Sequence, residues 1–311
     1  MNRRRALKLL GLCSVLPSCS REPALQTYSS VAFGTEVHFQ THGVPESLFQ
    51  QVTGAATARL AEIDRLFSLY NPDSSICRLN RDGFLDAPPP EFLRLVRTAI
   101  SLGKKTGGLF DITVQPLWEF RQRWKEANLP ERSDLEKEPW AEAISLVDFN
   151  QITAAEERIS FAKPGMAITL NAIAQGHATD EVRQVLKQAG IRDALINIGE
   201  YAALGTAPGG RPWPIEIRTN TSATVSRTLP GDRALAVSAG YGHTFDPGGR
   251  YHHIFHPTSG DNPKPESTII VTAPTATVAD GLATTLAVAD GAEQASILES
   301  FGDVRAEELK P

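Results

Sequence analysis

Thr179-Asp-Glu-Val-Arg-Gln-Val-Leu-Lys-Gln-Ala-Gly190-Ile-Arg-Asp-Ala-Leu-Ile-Asn-Ile198 joins a helical pattern to a strand pattern across a short turn. Thr179 or Asp180 can cap a helix in which Val182, Val185, Leu186 and Ala189 share a face, and Gly190 closes it. Ala194 to Ile198 then reads as a strand. Towards the N-terminus, Val31 to Gln40 alternates as a strand. Leu60, Ile63, Leu66 and Phe67 give an amphipathic helix between Glu46 and Tyr70, ended by Asn71-Pro-Asp-Ser-Ser. A second helix covers Glu91 to Lys105 and stops at Gly107-Gly108. The charged stretch 119–145, set among Trp118, Trp124 and Trp140, reads as a surface excursion. Towards the C-terminus, Ile215 to Arg218, Leu235 to Ser238 and Thr268 to Thr272 read as strands, and a helix follows from Thr277 to Ala289. Helices and strands mix without a regular βαβ period or an internal repeat. The expected class is therefore α+β, with mixed or antiparallel sheets and packed helices, rather than a doubly wound sheet.

The chain has 311 residues, of which 41% are hydrophobic and 22% charged, so neither a disordered nor a collagen-like chain fits. Its formal charge of −5 excludes a strongly basic nucleic-acid binder. The one basic cluster, Arg3, Arg4, Arg5 and Lys8, precedes the first acid, Glu22. It is followed by a short apolar run, Leu9 to Leu16, too short to cross a hydrocarbon core about 30 Å thick. Residues 1–18 thus read as a signal peptide, and the twin arginines resemble a twin-arginine signal. Leu16-Pro17-Ser18-Cys19 resembles a bacterial lipobox, which would make Cys19 a lipidated first residue, the protein periplasmic and its membrane contact a lipid anchor. Simple signal cleavage nearby is the alternative. Residues 19–30 would be a linker, and 31–311 one domain or two subdomains with a site between them. Losing four basic residues and no acid takes the mature charge from −5 to −9. Cys77 would then be the only thiol left free, so core burial must hold the fold together.

Several segments offer chemistry. If Thr277 caps the last-mentioned helix, Asp280 and Thr284 stand one turn apart on the same face, and their oxygens suit a hard cation such as Mg²⁺. Capping and back-bonding are the plain alternatives for these two residue types. Four of the seven histidines fall between His243 and His256. His252 and His256 have zinc spacing, but Pro257 and Gly260 argue against the helix that would align them. In a strand-to-turn segment, alternation instead separates His253 from His252 and Ile254, and His253 could act as a general base. A surface histidine cluster is the third reading. Thr106-Gly-Gly-Leu-Phe-Asp111-Ile-Thr113 is a glycine-containing loop that lets a ligand approach the backbone, with neither phosphate-loop nor dinucleotide spacing. Asn171 to Asp180 leads into a helix whose start could present amides to an anion.

Taken in order, these segments resemble the ApbE family of bacterial FAD:protein FMN transferases. Ala32-Phe33-Gly34-Thr35 is similar to the family's Met-Gly-Thr strand, and Glu62 to Asn80 to the helix and Asn-ended loop after it. Thr106 to Leu117 resembles its Gly-Gly-Ala-Phe-Asp-x-Thr segment, and Leu170 to Asp180 its central loop and helix. Asn197-Ile-Gly199, Val237-Ser238-Ala-Gly240, His253-Ile254 with Pro257 and Gly260, and Asp280-x-x-x-Thr284 follow in the family's order. The wording Leu170-Asn-Ala-Ile-Ala-Gln-Gly176 resembles the NosX-like branch associated with nitrous-oxide reductase maturation.

The resemblance implies a T-fold-related architecture and a Mg²⁺-dependent transfer of FMN from FAD to a threonine, or serine, hydroxyl of an exported or membrane redox protein, with release of AMP. It implies a metal held by Asp280, Thr284 and the carbonyls of Ala172 and Ala283, with His253 as the base for the acceptor hydroxyl. Phe33, Tyr70, Leu109, Phe110, Asp111, Thr169, Gln175 and Ile254 would line the FAD site. The family's Asp-Leu-x-x-x-x-Lys-Gly reads Thr169-Leu-Asn-Ala-Ile-Ala-Gln175-Gly176 here, losing an acid and a base. Asn-x-Gly-Gly becomes Asn197-Ile-Gly199-Glu200, which predicts strain if Glu200 takes the left-handed conformation of the second glycine. His256 replaces the Asp expected after His-Ile-Ile. FAD hydrolysis to FMN and AMP, or flavin binding by a non-catalytic lipoprotein, are the competing functions.

Overall fold

Alternating burial along one short strand sets up the two layers of the molecule. Ala194, Ile196 and Ile198 face the main core, whereas Leu195 faces a second cluster on the other side. The computed structural model describes residues 24–32, 34–127, 137–219 and 223–309. Phe33 and the expected signal and lipobox, with Cys19, lie outside these residues.

The chain opens with β1 (Leu25–Ala32) and β2 (Thr35–His42), then α1 (Glu46–Phe67), α2 (Ser75–Asp82), β3 (Phe84–Asp86) and α3 (Pro90–Lys105). Next come α4 (Gln115–Glu126), α5 (Lys137–Ser145), β4 (Ile152–Ala154), β5 (Arg158–Phe161) and α6 (Asn171–Gln188). The remainder is β6 (Ala194–Ile198), β7 (Tyr201–Leu204), β8 (Trp213–Arg218), β9 (Thr224–Leu229), β10 (Ala234–Ala239), β11 (Thr268–Ala273), α7 (Ala276–Val288), α8 (Gly291–Phe301) and β12 (Arg305–Leu309). A seven-stranded sheet has the order β1-β2-β6-β7-β10-β11-β12, and its strand pairs are antiparallel. Helices α1, α6 and α7 cover one face, and the β8–β9 hairpin packs Trp213, Ile215 and Leu229 against the other. This is the α+β class, with small antiparallel pairings around one large sheet.

Three local expectations need correction. The single strand expected from Val31 to Gln40 is a hairpin, with Ala32 paired to Thr35. Gly34, at φ +67°, supplies the left-handed turn residue that continuous alternation concealed. The expected linker therefore already contains strand β1, whose Tyr28 packs on Phe39. The supposed surface excursion holds α4 and α5, which bury Leu117, Trp124 and Ala143 with Phe245, Tyr251 and Phe255 in a satellite core. Of the described charges in that stretch, Arg123, Lys125, Glu126, Lys137, Glu138 and Glu142 are exposed, whereas the Arg121 guanidinium stacks on Trp140 and Tyr251.

The caps also moved. Helix α6 begins at Asn171, so Thr179 is internal and its Oγ1 donates back to Gln175 O at 2.9 Å. Asp180 caps a different helix. Its carboxylate accepts from the N–H groups of Ala276 and Thr277, both at 2.9 Å, and from Thr277 Oγ1 at 2.7 Å. The N-cap of α7 is Thr275 rather than Thr277, with Thr275 Oγ1 accepting from Val278 N at 3.3 Å. The same-face placement of Asp280 and Thr284 is unaffected, because it depends only on the helical period.

Asp180→Ala removes this cap and leaves Arg183, whose Nη2 lies 2.8 Å from Asp180 Oδ1, without that carboxylate. Loss of about 2 kcal/mol is expected. Thermal unfolding should show a fall of several degrees in Tm, with Asp180→Asn losing less.

Candidate active site

The N-terminal half of α7 and the first turns of α6 form the floor of a cavity of about 530 Å³. Asp280 and Thr284 reach it from α7, and Ala172 and Gln175 from α6. The turn between β6 and β7 adds Asn197, Gly199 and Glu200, and strand β10 adds Val237 and Ser238. Leu109, Phe110 and Asp111 form one lip with Thr169 beside them, and His253 and Ile254 form the opposite one. Ten of the expected site residues thus meet although they come from segments far apart in sequence. Tyr70 is 79% exposed and does not line the cavity, standing instead beside Gly34 at the β1–β2 turn. Ala283 is buried in the main core, behind the cavity wall. Phe33 lies outside the described residues.

Asp280 is set by close helix packing. A Cβ on Gly176 would stand 2.4 Å from Ala276 O, so only glycine permits this approach of α6 and α7. In that space the Gly176 N–H donates to Asp280 Oδ2 at 3.0 Å. Burial raises the Asp280 pKa, and the nearby Asp180 charge adds to it, against the pull of the Gly176 N–H. Asp280 forms no ion pair with a Lys, Arg or His among the described residues. Thr284 is also available. Thr285 Oγ1 back-bonds to Gly281 O at 2.7 Å, whereas Thr284 makes no such bond among the described residues. A buried carboxylate without a cationic side chain, beside a hydroxyl and the backbone of Ala172, is an all-oxygen set that fits a hard divalent cation.

His253 is held in a defined tautomer. Its Nδ1 lies 3.2 Å from His243 O, and a carbonyl can only accept, so Nδ1 carries the proton and Nε2 is left as the acceptor. Burial lowers its pKa from 6.5 to about 4, helped by His252 and His243 and opposed by the bond to His243 O. The ring is therefore neutral near pH 7. His252 is fully buried, with Nε2 2.9 Å from Pro263 O and Nδ1 accepting from Ile254 N at 3.3 Å. Both of its nitrogens serve the loop, so the His252–His256 zinc pair is not assembled.

Asp111 is a turn clamp. Its Oδ1 accepts from Thr113 N at 2.7 Å and Thr113 Oγ1 at 2.5 Å, and its Oδ2 from Phe149 N at 3.0 Å. Burial raises its pKa in spite of these bonds. Thr169 stabilises the start of α6, with Oγ1 accepting from Asn171 N at 3.2 Å. Gln175 lies over Gly199, where an added Cβ would meet its Oε1 at 2.5 Å. The strain expected at Glu200 is absent. Gly199 alone carries the left-handed conformation of that turn, at φ +84°, and Glu200 follows without a positive φ.

The cavity also contains residues that sequence reasoning passed over, including Trp118, Tyr241 and Arg218. Trp118 stacks on His243 at 5.9 Å, and Tyr241 Oη donates to Arg218 O at 2.9 Å. The tryptophan-rich composition of 118–140 was the available signal for the first of these.

Two other places compete as sites. Glu91, His177 and Glu181 converge closely enough to hold a metal, but the Arg59 guanidinium already neutralises both carboxylates. It pairs with Glu91 and, at 2.8 Å, with Glu181, while His177 Nε2 lies 2.8 Å from Glu91 Oε1. This is an ion-pair network joining α1, α3 and α6. A larger groove of about 770 Å³ runs past Leu93, Leu102, Val278 and Phe301, and it contains none of the expected site residues.

The ApbE family model matches residues 33–306. The chain belongs to the ApbE family. An FAD:protein FMN transferase of Haemophilus influenzae is 29% identical over 291 residues, covering 88% of this chain and 83% of that protein. One from Vibrio cholerae is 30% identical over 301 residues, covering 92% and 87%. The apo crystal structure of the Pseudomonas stutzeri flavinyl transferase ApbE superposes with a TM-score of 0.76 at 25% identity, covering 94% of this chain and 93% of that one. The motifs from Thr106 onward thus meet here in a single cavity.

Asp111→Ala should free three donors at the Leu109–Asp111 lip, lowering stability by about 2–4 kcal/mol. Thermal unfolding together with flavin-fluorescence titration should show a lower Tm and weaker FAD binding. Asp111→Asn should lose less of both.

Proposed function

We propose that this protein transfers FMN from FAD to a threonine, or serine, hydroxyl of an acceptor redox protein, with Mg²⁺ at Asp280 and Thr284 and with AMP as the leaving group. The observation that carries the reading is the meeting, in one cavity, of an all-oxygen cation seat and a neutral histidine with a free Nε2. Family membership and the flavin-transferase relatives support the same activity. Export, and a lipid anchor at Cys19, are the readings that the first twenty residues support.

The protein's own groups have distinct tasks. The Leu109–Asp111 lip, fixed by the Asp111 clamp, and Ile254 opposite it give the flavin end apolar surfaces. Asp280, Thr284 and Ala172 would hold the cation, which when bound neutralises pyrophosphate charge. That help matters because the chain carries a net −5 and does not attract an anionic substrate through its overall field. His253 Nε2 accepts the proton of the acceptor hydroxyl as its oxygen bonds to the FMN phosphorus. The bond from that phosphorus to the bridging oxygen breaks, and its electron pair leaves with AMP. The acceptor protein brings the hydroxyl and covers the open side of the cavity.

Purified protein, FAD, Mg²⁺ and a co-encoded redox protein should yield an acceptor heavier by one FMN, read by intact mass, with AMP released in equal amount. Release of free FMN at the same rate without acceptor would make the protein a hydrolase, and tight FAD binding without AMP would make it a carrier. Chelation of Mg²⁺ should abolish transfer. His253→Ala should reduce transfer about 10²–10⁴-fold with FAD binding retained.

The histidine must be unprotonated to act, so its contribution is lost as pH falls through the folded value of about 4. At saturating Mg²⁺ the rate profile should show no histidine limb near 6.5. A limb there that disappears in His253→Gln would contradict the assignment.

A further inference from the structure

Glu200 stands where the family pattern has glycine, and it lines the same cavity as Asp280. Its backbone is tightly held. Glu200 O accepts from Ile198 N at 3.1 Å and lies 3.2 Å from Thr179 Oγ1, whose single proton is shared between it and Gln175 O, so the β6–β7 turn abuts α6. The side chain is therefore directed by fixed structure rather than by a loose loop.

Glu200 and Asp280 are each only 6% exposed. Each carboxylate takes a single backbone donor, Val237 N at 3.2 Å for Glu200 Oε2 and Gly176 N at 3.0 Å for Asp280 Oδ2. Among the described residues, the second oxygen of each has no hydrogen-bond partner, and neither group has a cationic one. Both side chains line the same cavity, Glu200 from the β6–β7 turn and Asp280 from α7. Two buried carboxylates facing one space, each with an unused oxygen, are unfavourable without a positive charge between them. The same cavity has lost the family's acid at Thr169 and its base at Gln175, and Arg218, which also lines it, pairs with neither carboxylate among the described residues.

We propose that Glu200 is an additional carboxylate ligand of the cation seat formed by Asp280 and Thr284. This rests on the cation reading of the site given above and extends it to a residue that departs from the family pattern. A second carboxylate raises the ligand charge, which strengthens binding of a divalent cation and allows it to bind before FAD brings its phosphates.

The test uses Mn²⁺ alone as probe, with the whole protein and no flavin. Binding is followed by the loss of the free Mn²⁺ paramagnetic resonance signal and by the Mn²⁺-induced rise in Tm. Wild type should bind Mn²⁺, and Glu200→Gln should bind at least about tenfold more weakly, with a smaller rise in Tm. Glu200→Gly, which restores the family residue, should show the same loss if the Gln variant fails to fold. Retention of wild-type Mn²⁺ affinity, within about twofold, in a folded Glu200 variant would overturn the proposal. If Asp280→Asn loses binding in that case, the cation seat stands without Glu200. If neither substitution affects binding and FMN transfer is unaffected by chelator, the cation reading of the site fails as well.

Discussion

The constraint on which the site depends is the crossing of α6 and α7 at Gly176. No side chain fits there, since a Cβ would meet the Ala276 carbonyl at 2.4 Å and the Asp280 Cβ at 2.9 Å. The contact is reciprocal in its polar groups. Helix α6 gives the Gly176 N–H to Asp280 of α7, and its Asp180 caps the first turn of α7. Two backbone-to-carboxylate bridges therefore set the register of the helices, where apolar packing alone would permit sliding. Gly281 adds a third restriction, because a Cβ there would strike Leu102 of α3 at 2.3 Å. Helix α7 is thus locked between α6 and α3 with Asp280 facing the cavity.

That lock keeps a charged group in an unfavourable place. Burial alone would drive Asp280 to its neutral form, and a ligand that restores the charge adds binding free energy to a structure already formed. The opposite lip works by a different principle. His253 is kept neutral by burial and oriented by a carbonyl, so its free nitrogen is available without competition from its own loop. The helices that carry Asp280 and the loop that carries His253 pack against separate parts of the core.

Much of this was legible in the sequence because it depends on local periodicity. The helices at Glu46–Phe67, Pro90–Lys105 and Ala276–Val288 follow their apolar spacing, and the relation of Asp280 to Thr284 follows from the helical repeat. The ordered motifs led to the ApbE resemblance and brought His253 and the Leu109–Asp111 loop into the site. What was not legible depended on distant partners. Asp180 was read as a cap for its own helix, but its acceptors are matched to N–H groups 96 and 97 residues away. The helices of 115–145 were concealed because their apolar faces match a loop more than a hundred residues later, as the Lys125 bond to Thr244 O illustrates. Glu200 was read as a source of strain, because sequence alone does not show that Gly199 absorbs the turn. Tyr70 was placed in the site by resemblance, but its ring stands at the exposed β-turn instead.

Gly176→Ala addresses the central claim most directly, since it adds one methyl group at the helix crossing and changes no charge or candidate ligand. Thermal unfolding and AMP release from FAD should be measured on the same preparation at saturating Mg²⁺ with acceptor present. The account predicts that Tm and AMP release both fall sharply, because the methyl group forces α7 away and breaks the bond that orients Asp280. A variant with wild-type Tm and wild-type AMP release would show that the crossing does not set the site.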